Sequence, residues 1–363
     1  MSEFMAGPTA TVRRRTRRKR KGAGTAQATT TTTTTTTTSS SSHSATTSAI
    51  PSVDEAVAVA SSNTSGGVES VLRKLRDSVG DGDLYTALQV YKALFARFAK
   101  QGDVEHATEL AVKGTCLLLR RGLTRAATDL GNNLVELFID SHTKAEDNNT
   151  SQLLTIARAY PTHPDALACE GSIDDTCDED AQRFLGHAIK WSSAEGAMPR
   201  GDPRLNYEAA LSYRRTGDAS NACLRYMFAE KCEEYAAYIH ELASQGGYRG
   251  ELDLFLARAV LQLLAVENVR DANLVCQSFM EHCSNSLDTP LVNFVVLLLD
   301  TVRRGKDALP LFQLLQKRYE RSLSRDETLQ ACMGRIANKF FGVAPQRQGG
   351  LMGMLEGLMS GGK

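Results

Sequence analysis

The feature that most narrows the fold of this 363-residue chain is a junction that returns in phase. Gly82-Asp83 is followed by Ala87, Gly102-Asp103 by Ala107 and Gly217-Asp218 by Ala222, so each time a small residue stands four positions after the aspartate. Around Arg121-Gly122-Leu123 the frame returns with Ala127, and Leu123 takes the place of the aspartate. Glycine ends a helix in the left-handed conformation, aspartate caps the free amides of the next helix, and alanine one turn later lets two backbones approach closely. The junctions near 82, 102 and 122 lie twenty residues apart, or two helices per forty residues, which is the period of helical-hairpin solenoids. Gly-Asp pairs as ordinary turn signals would leave unexplained both the phase with alanine and the amphipathic run that each pair opens.

Before the first junction, Val68, Val71, Leu72, Leu75 and Val79 form an i, i+3, i+4, i+7 stripe, the apolar face of an opening helix. A polar linker is expected from His142 to Asn149. Beyond it, periodicity places helices near 151–159, 180–192, 204–213, 219–228, 231–244, 252–267, 269–283, 291–303, 308–318 and 325–340. Aromatics make up only 6% of the chain, with the single Trp191, which argues against a β-sandwich. The expected fold class is all-α: an α-solenoid of antiparallel helical hairpins, a TPR-like right-handed superhelix, preceded by a disordered arm. The expected division is an arm at 1–66, an N-terminal helical half at 67–215, a C-terminal half at 216–345 and a Met- and Leu-rich tail at 346–363.

The net charge of zero hides an asymmetry. Residues 1–67 carry eight basic side chains, all between Arg13 and Lys21, against Glu3, Asp54 and Glu55, which leaves 34 basic and 39 acidic residues for the body. A mildly acidic body disfavours stable nucleic-acid binding. The arm continues with an unbroken threonine run from Thr29 to Thr38, a composition too poor in apolar groups to offset the entropy of ordering. Its basic block has three open readings: a nuclear-import or electrostatic patch, an organellar leader, or a solvated tail. No run of eighteen apolar residues is present and no secretory signal is seen, so the expectation is a protein of the cytosol, with a nuclear fraction if the basic block directs import.

Eight cysteines show neither a CxxC pair nor a repeating interval, and most sit in apolar helical runs, as expected for reduced structural thiols. Cys276, His282 and Cys283 lack a fourth ligand nearby, and no metal or cofactor is expected. The acidic run from Asp174 to Asp180 lacks the alternating ligands and central glycine of a calcium loop and reads as a charged loop capping the next helix. No phosphate loop, dinucleotide fingerprint, zinc-protease motif or nucleophile elbow occurs, and the chain reads as a binding scaffold rather than an enzyme.

Several stretches, taken in order, resemble one family. They are Gly82-Asp83-Leu84-Tyr85-Thr86-Ala87 through Glu105-His106-Ala107; Ala188-Ile189-Lys190-Trp191-Ser192-Ser193 leading to Gly201-Asp202-Pro203-Arg204-Leu205; Pro290-Leu291-Val292-Asn293-Phe294 through Arg303-Arg304-Gly305-Lys306; and Arg335-Ile336 through Phe340-Phe341-Gly342-Val343 with the tail from Gly350 to Met359. Together they resemble the Golgi-to-ER-traffic scaffold subunit, fourth in the guided entry of tail-anchored proteins (GET) pathway. The resemblance implies an α-solenoid with two working ends. Its N-terminal helices would dock an ArsA-like targeting ATPase homodimer and favour the nucleotide-loaded state. Its C-terminal helices would hold the N-terminus of a ubiquitin-like adaptor. Tail-anchored clients would arrive from a co-chaperone and pass to the ATPase.

By position, the resemblance puts the ATPase-binding surface at Lys74, Tyr85, Arg97, Lys100, His106, Glu109 and Lys113. For Tyr85 and His106 the alternative is packing between repeats, and for the charged members a solvated face. The ubiquitin-like-partner surface would involve Phe294, Leu297, Leu298, Phe340 and Phe341, lining a groove for a partner helix, with burial in the core as the alternative for each. The chain departs from the family in one place. Where many members insert a hairpin that wraps the partner, it offers only Ser284-Asn285-Ser286-Leu287-Asp288-Thr289, so the wrap is expected to be short or absent. Outside this family, the residues also fit a generic helical-repeat adaptor, proteasome-lid-like or trafficking, or a ribosome- or RNA-associated factor acting through the basic arm.

Overall fold

The computed structural model describes residues 73, 74, 77, 83–170, 175–248, 250–283 and 287–343. The disordered-arm reading, the stripe from Val68 to Val79 and the Met-rich tail lie outside those residues. Among the described residues there is no strand. The helices are α1 (Leu84–Gln101), α2 (Val104–Arg120), α3 (Thr124–Asp140), α4 (Asp147–Arg158), α5 (Cys177–Glu195), α6 (Pro203–Thr216) and α7 (Ala219–Tyr226). They continue with α8 (Cys232–Gly246), α9 (Leu252–Ala265), α10 (Val269–His282), α11 (Pro290–Arg303), α12 (Leu309–Arg318), α13 (Glu320–Leu323) and α14 (Glu327–Phe341).

The repeated junction works as its residues require. Gly102, Gly122 and Gly217 take φ of 75°, 80° and 78°, where glycine carries no steric penalty. The residue after each closes a ring back onto the finished helix: the N–H groups of Asp103, Leu123 and Asp218 donate to the carbonyls of Phe98, Leu118 and Tyr213 at 3.0–3.1 Å. Asp83, Asp103 and Asp218 then cap the next helix, accepting from the N–H of Thr86, His106 and Asn221 at 3.0–3.2 Å. Leu123 makes no side-chain cap. Ala87, Ala107, Ala127 and Ala222 are each 0% exposed, at the helix contacts.

One copy of the junction is disguised in the sequence. Glu267 takes φ 66° in the glycine position, the Asn268 N–H closes onto the Leu263 carbonyl at 3.0 Å, Asn268 caps α10 through the Asp271 N–H, and Ala272 is fully buried. Asparagine caps as well as aspartate does, so the mechanics survive the change of residues.

Junctions this short reverse the chain, and along much of the stack a helix packs on its successor and on the helix after that: α1 on α2 and α3, α2 on α3 and α4, α8 on α9 and α10, α9 on α10 and α11. This is the connectivity of an α-solenoid. α4 begins at Asp147, four residues earlier than periodicity suggests, because Asp147, Asn148 and Asn149 suit a helix N-terminus even though they read as linker. The acidic residues Asp178, Glu179 and Asp180, expected as a loop capping a helix from 180, instead lie in the first turn of α5, where the helix dipole favours them. The one-turn α13 and the 3-10 turn Lys306–Ala308 are too short to carry a periodic signal.

Small residues receive aromatic knobs. A Cβ on Gly114 of α2 would lie 2.7 Å from the Tyr91 ring of α1 and 3.1 Å from Leu130 of α3; one on Gly131 of α3 would meet the Phe184 ring of α5 at 3.1 Å. These contacts set the helix separations.

The turn after α4 is held by a buried acid. Glu208 of α6, its side chain 3% exposed, accepts from Arg158 Nε at 2.7 Å and His163 Nε2 at 2.9 Å. His163 Nδ1 accepts the Asp165 N–H at 3.0 Å, so the ring proton sits on Nε2, facing the carboxylate. Burial acts to raise the Glu208 pKa; the hydrogen bonds from His163 and Arg158 and the guanidinium charge outweigh it, and the carboxyl lies below its ordinary 4.5.

Two measurements check this packing. In denaturant unfolding, Gly114→Val is expected to cost about 1–3 kcal/mol through overpacking against Tyr91. Gly186→Ala in α5, where a Cβ meets nothing within 4 Å, is expected to gain about 0.5–1 kcal/mol. Glu208 has a depressed folded pKa, so its stabilisation is complete above 4.5 and is lost as pH falls through the lowered folded value. Glu208→Gln should therefore lower Tm at pH 7, with the gap from the parent protein closing below pH 4.5.

Candidate docking surfaces

Helix α1 turns one face to the core and one to solvent. Ala87, Leu88, Tyr91, Leu94, Phe95 and Phe98 are buried at helical spacing. The opposite side carries Tyr85, 73% exposed, together with Ala96, Arg97 and Lys100, all exposed, and the half-buried Lys92. Tyr85, Lys92, Ala96 and Lys100 follow one another at i, i+7, i+11 and i+15, a single stripe with Arg97 on its flank. Lys92 belongs to this stripe although the expected surface omits it; its position two turns after Tyr85 is the signal that finds it. Lys74, also helical and exposed, precedes α1 in the chain.

The members on α2 behave differently. His106 stacks on Phe98 at 5.8 Å between ring centroids, and its Nδ1 lies 2.9 Å from Asp103, the carboxylate that caps its own helix. It packs between the first two helices, the alternative the sequence leaves open. Lys113 Nζ donates to Glu109 at 2.6 Å, and the lysine side chain is only 12% exposed. The outward set is therefore Lys74, Tyr85, Arg97 and Lys100.

At the C-terminal end the expected groove loses most of its lining. Phe294 and Leu298 are 0% exposed, and Phe341 is 7% exposed with its ring 4.7 Å from that of Phe312. Phe294 packs on Tyr319 at 5.5 Å, and Phe340 lies half-buried against the same core. Leu297 alone of the five is well exposed, and it is joined by Val296 on α11 and by Leu314 on α12, exposed by 44%, 45% and 62%. α11 and α12 pack on each other, so the apolar surface available here is carried by two neighbouring helices. The physical reason is position in the stack. α9 is apolar on nearly every side and is covered by α8, α10, α11 and α14, whereas α11 carries the continuous run Phe294–Leu299 near the end of the stack and keeps an uncovered side. The unbroken apolar run, wider than one helical stripe, is the sequence signal for Val296. Residues 284–286 of the short segment before α11 lie outside the described residues, and Thr289 caps α11 through the Val292 N–H at 3.3 Å.

No cysteine forms a disulfide; Cys116, Cys177, Cys276 and Cys332 are buried, and burial pushes the Cys276 and Cys332 thiols up to about 11. Among the described residues no group of three His, Cys, Asp or Glu side chains is placed to hold a metal ion, and no helix is long and apolar enough to cross a membrane.

Comparison with known proteins agrees with this geometry. The sequence profile of the family described as Golgi to ER traffic protein 4 matches residues 101–360. The chain is 33% identical over 318 residues to the Golgi to ER traffic protein 4 homolog of Oryzias latipes, covering 85% of this chain and 93% of the relative. It is 32% identical over 300 residues to the human homolog, covering 81% and 86% of the two chains, and 30% identical over 297 residues to that of Dictyostelium discoideum, covering 81% and 89%. Among solved structures, the crystal structure of C. therm. Get4 superposes with a TM-score of 0.68 at 25% identity, covering 82% of this chain and 97% of that one. The in-phase junctions, the stacked helices and these matches lead to one assignment: the chain belongs to the Golgi to ER traffic protein 4 family.

Proposed function

We propose that this chain is a non-catalytic scaffold in the targeting of tail-anchored membrane proteins to the ER, a cytosolic protein bridging an ArsA-like targeting ATPase and a ubiquitin-like adaptor. Family membership and the solenoid shared with C. therm. Get4 support the reading. The observation that carries it is the presence of two unlike exposed surfaces on one stack. Helix α1 bears Tyr85 near its start and the cations Arg97 and Lys100 near its end, all exposed; the neighbouring helices α11 and α12 bear the exposed apolar residues Val296, Leu297 and Leu314. A cationic surface with one aromatic anchor suits a partner recognised through charge, and an apolar strip on paired helices suits an amphipathic partner helix. Clients would reach the ATPase by way of the adaptor and its co-chaperone, with the stack holding the two at a set separation.

The charged face is tested by the double variant Arg97→Glu with Lys100→Glu. Exposed charges act mainly on encounter rate and are screened by salt. ATPase affinity is expected to fall by about tenfold or more at low salt, with a smaller loss at about 0.5 M salt. An affinity that stays the same at every salt concentration would remove this face from the proposal. The apolar strip is tested by Leu297→Asp with Leu314→Asp, which should abolish retention of a ubiquitin-like protein from cytosol while leaving ATPase capture intact.

A further inference from the structure

Helix α14 does not continue the simple order of the stack. α14 returns to pack on α9, and the contacts between them run in parallel along the chain: Arg325 with Asp253, Asp326 with Arg258, and Lys339 with Glu267. Two neighbouring residues of the turn into α14 thus reach two residues of α9 in opposite charge sense. Arg325 Nη1 donates to Asp253 at 2.7 Å, while Arg258 Nε is in direct contact with Asp326. Shifting the turn along α9 to exchange these partners would set arginine against arginine and carboxylate against carboxylate, so the crossed pairs select one register.

Asp253 is the centre of this arrangement. It is 3% exposed, and a carboxylate so buried is tolerated only with partners. Its Oδ2 accepts from Arg325 and, at 3.0 Å, from the Thr289 hydroxyl. The same hydroxyl accepts the Val292 N–H and so caps α11. The second arm of Arg325 donates from Nη2 to the Gly250 carbonyl at 2.9 Å, straddling the start of α9. On the other side Asp326 caps α14 through the Thr328 N–H at 2.8 Å. One buried carboxylate therefore joins the start of α9, the cap of α11 and the turn that launches α14.

We propose that Asp253 is the positioning residue of the C-terminal docking end, an ionic latch that sets α11 and α14 in register on α9. The latch places Val296 and Leu297 on one helix and Phe340 on the other. Its connection with partner capture rests on the C-terminal docking reading above; the latch itself does not.

The test is hydrogen–deuterium exchange on the full chain, comparing the parent protein with Asp253→Asn. Asparagine keeps the shape and an acceptor for Thr289 but removes the charge that holds Arg325. Exchange is expected to quicken by about tenfold or more across 327–341 and in the first turn of α11, with 84–216 unchanged. Arg325→Lys keeps the charge, loses the second donor to Gly250 and should fall between the two; it carries the test alone if Asp253→Asn does not fold. Unchanged exchange, or an equal acceleration throughout the chain, would overturn the proposal. In parallel, the latched protein should bind the ubiquitin-like adaptor more tightly than Asp253→Asn, with ATPase affinity equal in both. Faster exchange with adaptor affinity unaltered would leave the latch standing and count against the C-terminal docking reading.

Discussion

Two helices can stack only as closely as the residues between them permit, and in this chain that limit is set by alanine and glycine. Ala87, Ala107, Ala127, Ala222 and Ala272 are completely buried one turn into their helices, and Gly114 and Gly131 receive the rings of Tyr91 and Phe184. The rest of the stack depends on these approaches. At these junctions a capping aspartate or asparagine, where present, fixes where the next helix starts, the left-handed residue before it fixes the reversal, and the small residue converts the reversal into a dry contact. In a solenoid built this way the surfaces open to partners are those that the stacked helices turn outward.

Toward the C-terminal end charge takes over part of the work. α9 is apolar nearly all round and needs covering on every side, which is achieved by bringing α14 back to it. Apolar packing is non-directional and would tolerate several registers; the crossed pairs of Arg325 with Asp253 and Asp326 with Arg258 do not. In the middle of the chain Glu208 plays a related part, anchoring the turn after α4 through His163 and Arg158. Each of these acids holds together segments dozens of residues apart, where no local signal could fix the geometry.

That division explains what the sequence discloses. The junction mechanics are local, so Gly102-Asp103-Ala107 and its copies announce the class of fold, and helix limits follow from caps and periodicity. The copy at Glu267-Asn268-Ala272 stays hidden because neither a glycine nor an aspartate marks it, although the backbone does the same thing there. The docking surfaces are less legible. Tyr85, Arg97 and Lys100 are exposed as their periodicity allows, yet His106 is drawn inward by Phe98 and by the Asp103 cap, and Lys113 by Glu109. At the other end Phe294, Leu298 and Phe341 read the same as Leu297 in an apolar run. For the residues of α11, the packing of α9, α10 and α12 on that helix decides which of them is covered.

The exposed Tyr85, Arg97 and Lys100 on α1 and Val296, Leu297 and Leu314 on α11 and α12 underlie the proposal that the chain holds two partners at once. The most direct test is sedimentation velocity of the full chain mixed with both the targeting ATPase and the ubiquitin-like adaptor. A single ternary species in which neither partner weakens the other is expected. Mutual exclusion of the two partners, or failure of the chain to retain either, would contradict it.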